Sequence, residues 1–314
     1  MSKHQQVLER AMTRLRLKQL RLLVAIDRHG SIQAAAGEVH VSQPAATKMI
    51  RDLEEDFEAT LFSRTNRGVV PTEAGNALIF HSKLLLTQIS NAAQDLDDLT
   101  EGKSGHVVVG TLLAAAPLLL PTAIEGLLHE RPKVAVKVIE GANAMLIPGL
   151  LSGELDMIVG RLPTYNLASN LSLERLIDEK IVIIAGRQHP LVGKSGLTFQ
   201  DLKDFSWILP PSDTTLRRQV DHFFTTRENY APPSVIDSVS YLTNRSLLST
   251  RNFLYPVPEH VAKTDIAAGI LSVIDWDVPF GNGPVGITHR GDEFLSPAAS
   301  AFRSALRAAA RQIS

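Results

Sequence analysis

The amino-acid sequence predicts a multidomain protein with an α-rich N-terminal part and an α/β C-terminal part. At 314 residues the chain is longer than one ordinary domain. Residues 16–72 contain capped helical segments followed by a hairpin pattern, which is typical of a winged helix-turn-helix. A long helical heptad pattern follows. From residue 105 onwards, apolar strands alternate with helical segments, which indicates βαβ units.

Two capped helical segments joined by a short turn predict the helix-turn-helix. Apolar residues recur at helical spacing over residues 17–26, and Gly30 ends this first helix. Ser31 and Ser42 stand where N-caps belong, before a short Ala-rich helix and before a helix that runs to about Phe57. The last of these helices can lie in the major groove of B-DNA, with its N-terminal residues toward the base edges.

The candidate DNA-binding residues lie on this motif and on the hairpin that follows it. Gln43 can offer a donor and an acceptor to an adenine edge. The alternative is an interaction surface whose polar face is simply solvated. The candidate set consists of Ser31, Gln33, Ser42, Gln43, Pro44, Thr47, Lys48, Arg51, Arg64 and Arg67.

A hairpin is predicted from Leu61 to Val70, because two short strands flank the turn residues Asn66-Arg67-Gly68. Arg64 and Arg67 on it can reach the flanking DNA backbone or the minor groove. The first 72 residues contain 11 Lys and Arg against 8 Asp and Glu, whereas the whole chain has a formal net charge of −1. This mild basic excess agrees with a nucleic-acid partner without establishing one.

Thr72 caps a long helix in which apolar residues alternate four and three residues apart. Such a heptad pattern is typical of a coiled-coil partner helix, so it predicts a homodimer formed through residues 73–104. The alternative is one helix packed on its own domain. The candidate dimer contacts are Leu78, Leu85, Ile89, Leu96 and Leu99.

The C-terminal part is predicted to contain a mainly parallel sheet. Strands are expected at Val107–Val109, Val134–Ile139 and Leu155–Val159, and helices at Leu118–His129 and Asn143–Leu151. Two later strands, Ile181–Ala185 and Val285–Thr288, bracket a further lobe.

Composition and motifs argue against several classes of protein. The chain has no cysteine, and its ten histidines show no metal-ligand spacing, so no metal or cofactor is expected. Gly281–Gly286 matches GxGxxG but contains Pro284 and precedes a strand, so we expect a loop there and no enzyme. Residues 1–18 lack a secretory apolar stretch, and Val107–Pro121 is too short to span a bilayer. These features predict a cytoplasmic protein with no membrane partner.

Several short motifs between Arg16 and Gly75 are specific in combination. They are Gly30-Ser31, Ala34–Ala36, Val41–Ala45, Ile50–Glu55, Leu61-Phe62, Arg64-Thr65, Arg67-Gly68 and Thr72–Gly75. Together they resemble the LysR-type transcriptional regulators. The resemblance continues through Leu119–Pro121, Glu140-Gly141, Leu151–Asp156 and His189–Leu191, and so covers nearly the whole chain after residue 15.

The resemblance implies a winged helix-turn-helix joined by a linker helix to a two-lobed α/β effector domain similar to periplasmic binding proteins. It implies a sequence-specific regulator that binds a double-stranded DNA operator, is controlled by an anionic metabolite or a sugar, and acts as a homotetramer. RNA polymerase is a further candidate partner. The expected divisions are an extension at 1–15, the DNA-binding domain at 16–72, the linker at 73–104 and the effector domain at 105–314. Within the latter, lobe I covers about 105–180 and 281–314, and lobe II about 181–280.

By alignment with the family, the candidate effector contacts are Leu113, Ala114, Asn143 and Arg161, with Ser212 and Thr214 from the second lobe. A helix start favours an anion, and an arginine can clamp a carboxylate. Each polar residue has a structural alternative. Arg161 can instead form a salt bridge or a hinge contact, and the others can be ordinary helix caps.

Two departures from the family pattern affect these expectations. Thr47-Lys48 stands where the family usually has Ser-Arg, which leaves the base preference open. The pocket position that often bears a hydroxyl falls among Leu112, Leu113 and Ala114, so an apolar wall is expected there.

The function classes weighed against an effector-controlled regulator are a DNA binder that ignores small molecules, an α/β enzyme with an accessory winged helix, and a periplasmic receptor. The N-terminal helix-turn-helix contradicts the last of these. The C-terminal half is similar to the subgroup typified by the galactose-binding-protein regulator, whose effectors include sugars. This similarity does not decide between sugars and aromatic or aliphatic acids.

Overall fold

The computed structural model describes residues 3–65, 68–100, 105–163, 171–227, 230, 235–291 and 295–313. The chain forms two compact units. One consists of residues 1–97 with 151–154, and the other of residues 98–150 with 155–314.

The N-terminal unit is built from helices and one two-stranded hairpin. Its elements are α1 Lys3–Arg14, α2 Leu17–His29, α3 Ile32–Glu38, α4 Gln43–Phe57, β1 Phe62–Thr65, β2 Gly68–Pro71 and α5 Glu73–Thr100. Helices α2 to α4 form the predicted helix-turn-helix, and the β1–β2 hairpin forms the wing. The α-rich winged fold with a long linker helix is therefore confirmed.

Local chemistry explains where these helices begin and end. Gly30 ends α2 in the left-handed conformation at φ 62°, which glycine adopts without strain. The hydroxyl of Ser31 accepts a hydrogen bond from the Ala34 amide at 3.4 Å, and the hydroxyl of Ser42 accepts one from the Ala45 amide at 3.4 Å. The amide of Gly75 donates to the Thr72 hydroxyl at 3.0 Å and so caps α5.

Helix α1 was not expected, because the first residues of the chain are mostly polar and charged and were assigned to an extension. It packs on α4. Arg10 pairs with Glu58, and Arg14 pairs with the buried Asp56 at 3.4 Å, near the C-terminal end of α4. Its attachment therefore depends on ion pairs with residues more than 40 positions away, which a periodicity search cannot detect.

The C-terminal unit contains two five-stranded sheets. The sheet of lobe I consists of β3 His106–Thr111, β4 Ala135–Glu140, β5 Met157–Arg161, β6 Ser172–Glu179 and β12 Gly283–His289, in the order β4-β3-β5-β12-β6. The sheet of lobe II consists of β7 Ile181–Gly186, β8 Ser206–Leu209, β9 Val235–Asp237, β10 Phe253–Pro258 and β11 Leu271–Ile274, in the order β11-β7-β10-β8-β9.

The helices of this unit lie mainly between successive strands. They are α6 Leu119–Glu130, α7 Asn143–Leu151, α8 Phe199–Leu202, α9 Thr215–His222, α10 Tyr241–Leu248, α11 Glu259–Ala267 and α12 Pro297–Ile313, with a π-helical turn at Phe223–Arg227. The predicted two-lobed α/β domain is confirmed. No helix in the described part of the chain is long and apolar enough to cross a membrane.

The chain passes between the two sheets twice. It goes from β6 to β7 through Lys180 and returns from β11 to β12 through residues 275–282. The strand that follows each crossing runs antiparallel to its neighbours in the new sheet, whereas β3, β4 and β5, and likewise β8, β9 and β10, pair in parallel. Most of Gly281–Gly286, which was expected to be a loop, belongs to strand β12.

His189 is a buried titratable group in the core of lobe II. Its Nδ1 accepts a hydrogen bond from the Leu191 amide at 3.2 Å, and its ring lies 4.5 Å from that of Phe205. Burial lowers the pKa of His189 to about 4, against the opposing effect of a hydrogen bond with the backbone of Asn252. An unfolded chain therefore binds more protons than the folded one between pH 6.5 and 4.

We expect the stability of lobe II to be lost progressively as pH falls from about 6.5 towards 4, since the depressed pKa favours the folded state only above this window. His189→Gln should weaken this pH dependence, whereas replacement of the exposed His222 by Gln should not. Urea unfolding followed by the fluorescence of Trp207 and Trp276, which both pack in lobe II, measures the effect. Identical pH dependence in His189→Gln and the unmodified protein would contradict the prediction.

Candidate functional site

Helix α4 has one buried and one exposed face. Ala46, Ile50 and Leu53 pack into the core of the N-terminal unit. The opposite side presents the predicted DNA contacts Gln43, Pro44, Thr47, Lys48 and Arg51, which are exposed or partly exposed. Gln33 of α3 is exposed as well. The structure thus leaves this helix face accessible along its length.

The polar groups on this face differ in their availability. Ser31 and Ser42 are engaged as helix caps, and the Thr47 hydroxyl donates to the Gln43 carbonyl at 3.0 Å. Within the described residues, the side chains of Gln43, Lys48 and Arg51 have no hydrogen-bond or ion-pair partner. They are therefore available to an external partner such as a base edge or a phosphate.

The wing is held against the end of α2. Strand β2 begins at Gly68, with φ 127°, where a Cβ atom would come within 2.5 Å of the Gly30 carbonyl oxygen. The Val69 amide donates to that same oxygen at 2.9 Å. Arg64 is paired with Val69 in the ladder, but its side chain lies outside the described residues, as does the whole of Arg67.

The predicted dimer contacts on α5 divide into two groups. Leu78 packs against the core of its own unit, so the alternative of intramolecular packing applies to this position. Leu85, Ile89 and Leu96 form an exposed stripe, with relative residue exposures of 49%, 46% and 66%. The side chain of Leu99 lies outside the described residues. The exposed part of the predicted dimer surface therefore begins at Leu85, one heptad after Leu78.

The C-terminal unit contains a cleft of about 430 Å³ between its two lobes. It lies at the C-terminal ends of the parallel strands, where α/β proteins commonly bind ligands. Lobe I lines it with Leu112, Leu113, Ala114, Glu140, Gly141, Ala142, Asn143, Arg161 and Glu179. Lobe II lines it with Pro210, Thr214, Thr215, Leu216, Ser238, Val239, Ser240, Tyr241, Leu242, Tyr255, Pro256 and Pro258.

Most of the predicted effector contacts meet at this cleft. Leu113 and Ala114 form part of an apolar wall, and Asn143 and Thr214 lie at the starts of α7 and α9. Ser212 does not line the cleft. It is exposed in the turn that precedes α9, since this helix begins only after Thr214. The hydroxyl of Thr214 accepts a hydrogen bond from the Arg217 amide at 3.3 Å and so caps α9. Thr214 is therefore an ordinary helix cap, which was the structural alternative to an effector contact.

Arg161 lines the cleft, but its guanidinium is already bound by the protein. It is the last residue of β5, and it forms an ion pair with Glu179 at the end of β6. It also donates to the carbonyl of Gly281 and, at 3.1 Å, to the side-chain oxygen of Gln219 in α9. Arg161 therefore forms a hinge contact, which was the alternative to a role as a ligand clamp. Its partners Glu179 and Gly281 flank the two segments through which the chain crosses between the lobes.

Arg161 and Glu179, hereafter the hinge pair, are almost completely removed from solvent, with side-chain exposures of 8% and 0%. Burial raises the pKa of Glu179 to about 7, against the attraction of Arg161. Burial also lowers the pKa of Arg161, against the attraction of Glu179. Each charge is therefore tolerated only because the other compensates it.

Sequence reasoning missed several polar groups that lobe II contributes. Thr215, Ser238, Tyr241 and Tyr255 line the cleft beside the predicted Thr214. They come from three separate segments that meet only after the lobe has folded. A search for serine and threonine before every predicted helix would have found Thr215 and Ser240, but the tyrosines carry no such local signal.

An exposed recognition helix with a wing, followed by a two-lobed ligand domain, defines a DNA-binding regulator with an effector domain. The family model described as bacterial regulatory helix-turn-helix protein, lysR family, matches residues 17–76. The model described as LysR substrate binding domain matches residues 100–311. The chain belongs to the LysR family of transcriptional regulators, which are not enzymes.

The comparisons with individual proteins agree. The chain is 33% identical over 298 residues to the HTH-type transcriptional regulator GbpR of Azospirillum brasilense, covering 94% of this chain and 87% of the relative. It is 30% identical over 300 residues to the HTH-type transcriptional regulator PcaQ of Agrobacterium fabrum, covering 96% of each.

Among solved structures, full-length CbnR complexed with its target DNA has a TM-score of 0.64 at 19% identity, covering 94% of this chain and all of CbnR. CbnR without DNA has a TM-score of 0.62 at 18% identity, covering 94% and 99% of the two chains. These similarities show a common fold.

Proposed function

We propose that this regulator binds its operator through the exposed face of α4 and the wing, and that a small molecule in the interlobe cleft controls this binding. The cleft itself supports the proposal most directly, since residues from both lobes line it. A ligand that contacts both walls has a different affinity for open and closed arrangements, and it can therefore shift their populations. A DNA binder that ignores small molecules would need no such cleft.

The expected division of labour follows from this proposal. Residues 16–72 would bind DNA, residues 73–104 would join subunits, and residues 105–314 would bind the effector in the cytoplasm, where the DNA is. The exposed stripe on α5 supports a homodimer, and the family resemblance supports a homotetramer with RNA polymerase as a candidate partner.

Gln43→Ala tests the DNA-binding face. We expect discrimination at one base position to fall by roughly 1–3 kcal/mol, because the amide can pair with a base edge in a sequence-specific way. Arg64→Ala should instead weaken binding to all sequences and reduce the salt dependence.

Operator libraries titrated at several salt concentrations separate these two effects. Asn76→Ala removes an exposed amide on α5 and serves as the matched control. Unchanged affinity and base preference in Gln43→Ala would show that α4 does not contact the bases.

A further inference from the structure

The charges around the cleft restrict the chemistry of the effector. Of the described residues that line it, Arg161 alone has a basic side chain, whereas Glu140 and Glu179 are acidic. If every group is ionised, the cleft wall carries an excess of negative charge. An anionic effector would therefore have to rely on Arg161.

Arg161 is poorly placed to serve an anion. Its guanidinium donors are directed to Glu179, Gly281 and Gln219, and its side chain is buried. A ligand carboxylate would have to displace the Glu179 carboxylate from the hinge pair, leaving that buried charge without its partner. The cleft wall also carries the acidic Glu140, which disfavours a second negative charge in the cleft. An uncharged ligand meets neither penalty.

Two other side chains have unused hydrogen-bonding capacity in the cleft. Thr215 is more than nine-tenths buried, and its hydroxyl has no hydrogen-bond partner among the described residues. Asn143 is equally buried, and its amide forms no hydrogen bond within the described chain. A hydroxyl and an amide both donate and accept, so together they match ligand groups that do the same.

The start of α7 adds a further set of donors. Ala142, which precedes Asn143, has no side-chain group that can cap the helix, in contrast to the Thr214 and Ser240 caps of α9 and α10. Free amides at a helix start attract an acceptor oxygen, whether charged or neutral. The partial charge of one helix end is too small to replace a counter-ion for a buried carboxylate.

We propose that the effector is an uncharged, hydroxyl-bearing small molecule of the polyol or sugar class, with oxygens bound to Asn143 and Thr215 and a less polar face against Leu113 and Ala114. This rests on the proposed function of the cleft. The hinge pair then acts as a positioning element that sets the lobe arrangement, and it does not contact the charge of a ligand.

The test uses neutral compounds, each paired with its own carboxylate: glucose with glucuronate, galactose with galacturonate, arabinose with arabinonate, and benzyl alcohol with benzoate. The full chain is heated with each at pH 8, above the pKa of Glu179, while Trp207 and Trp276 report on lobe II. We expect at least one polyhydroxy neutral compound to raise the unfolding temperature and its carboxylate to have no effect.

Variants locate the bound compound. Asn143→Ala and Thr215→Val should each weaken its binding at least about tenfold in calorimetry, and Thr250→Val, on an exposed threonine after α10, should not. Tighter binding of any carboxylate than of its neutral partner, or no effect from every polyhydroxy compound, overturns the proposal. If Asn143→Ala and Thr215→Val leave the affinity for the compound unchanged, or if the bound compound leaves the operator footprint unchanged, the result counts instead against the proposed function of the cleft.

Discussion

Changing Leu85 and Leu96 together to Asp is expected to convert the assembly into monomers of 34.2 kDa and to weaken operator binding by at least about 100-fold. Both leucines belong to the exposed stripe on α5, and the described part of their own unit does not bury them. If a second copy covers this stripe, the new carboxylates become buried without counter-charges. Losing the dimer removes one of two half-site contacts and with it most of the affinity.

Light scattering gives the mass, and a titration with operator DNA gives the affinity. Thr87→Asp with Ser90→Asp places the same two charges on the opposite side of α5 and serves as the matched control. The control should keep the mass and operator affinity of the unmodified protein. A Leu85→Asp/Leu96→Asp variant with unchanged mass would show that the exposed stripe is not the subunit interface.

The same helix shows what a sequence pattern can and cannot establish. The heptad spacing over α5 correctly indicated a long amphipathic helix, because the spacing depends only on local geometry. It could not tell which partner covers each position. Leu78 packs in the core of its own unit, whereas Leu85 is exposed, although the two leucines occupy equivalent heptad positions. Only the folded unit shows which of these positions its own core covers.

Local chemistry made the helix-turn-helix predictable. Gly30, Ser31 and Ser42 each fix a helix end through contacts within four residues. The sequence next to each of them is therefore sufficient to predict where the helix begins or ends. Strands β3, β4, β5 and β12 of lobe I were found for a similar reason, as apolar runs, whereas the charged strand β6 was not predicted. Helix α1 was assigned to an extension, and its attachment through Arg10 and Arg14 to Glu58 and Asp56, at the end of α4, could not be read from local sequence.

The hinge pair illustrates the limit at the candidate effector site. Arg161 could be identified from the family resemblance as a residue of the cleft, with its role left open between a ligand clamp and a hinge contact. Glu179 was not singled out, because β5 and β6 are separated in the sheet by β12, which comes more than 100 residues later in sequence. Only the strand order reveals that the two side chains meet.

Glu179→Leu is expected to lower the free energy of unfolding by about 3–5 kcal/mol, because it leaves a buried guanidinium without a counter-charge. An arginine cannot release its proton at accessible pH, so the variant has no titration at this site. The unmodified protein, in contrast, loses stability as pH rises from 4.5 towards 7, because the folded pKa of Glu179 is about 7. The penalty of Glu179→Leu should therefore be larger at pH 5 than at pH 8. Arg161→Met leaves a buried carboxyl group, which can instead take up a proton. Its penalty should therefore be smaller at low pH.

The sign of the pH effect follows from the pKa of Glu179. Burial already raises it to about 7 beside Arg161, and loss of that attraction raises it further. The folded Arg161→Met variant then binds more protons than the unfolded chain above pH 4.5, so its stability should decrease as pH rises from 5 to 8. Comparison with the unmodified protein at each pH removes the contribution of His189, which both share.

Urea unfolding followed by far-UV circular dichroism and tryptophan fluorescence measures these free energies. Arg175→Met and Asp178→Leu provide matched controls on β6, where the pair is 65% and 59% exposed and should contribute less than about 1 kcal/mol. The double variant Arg161→Met/Glu179→Leu buries no charge at this site and should be more stable than Glu179→Leu alone. Equal, pH-independent penalties in the two single variants would mean that the hinge pair is open to solvent, and the cleft would then offer a free cation to an anionic effector.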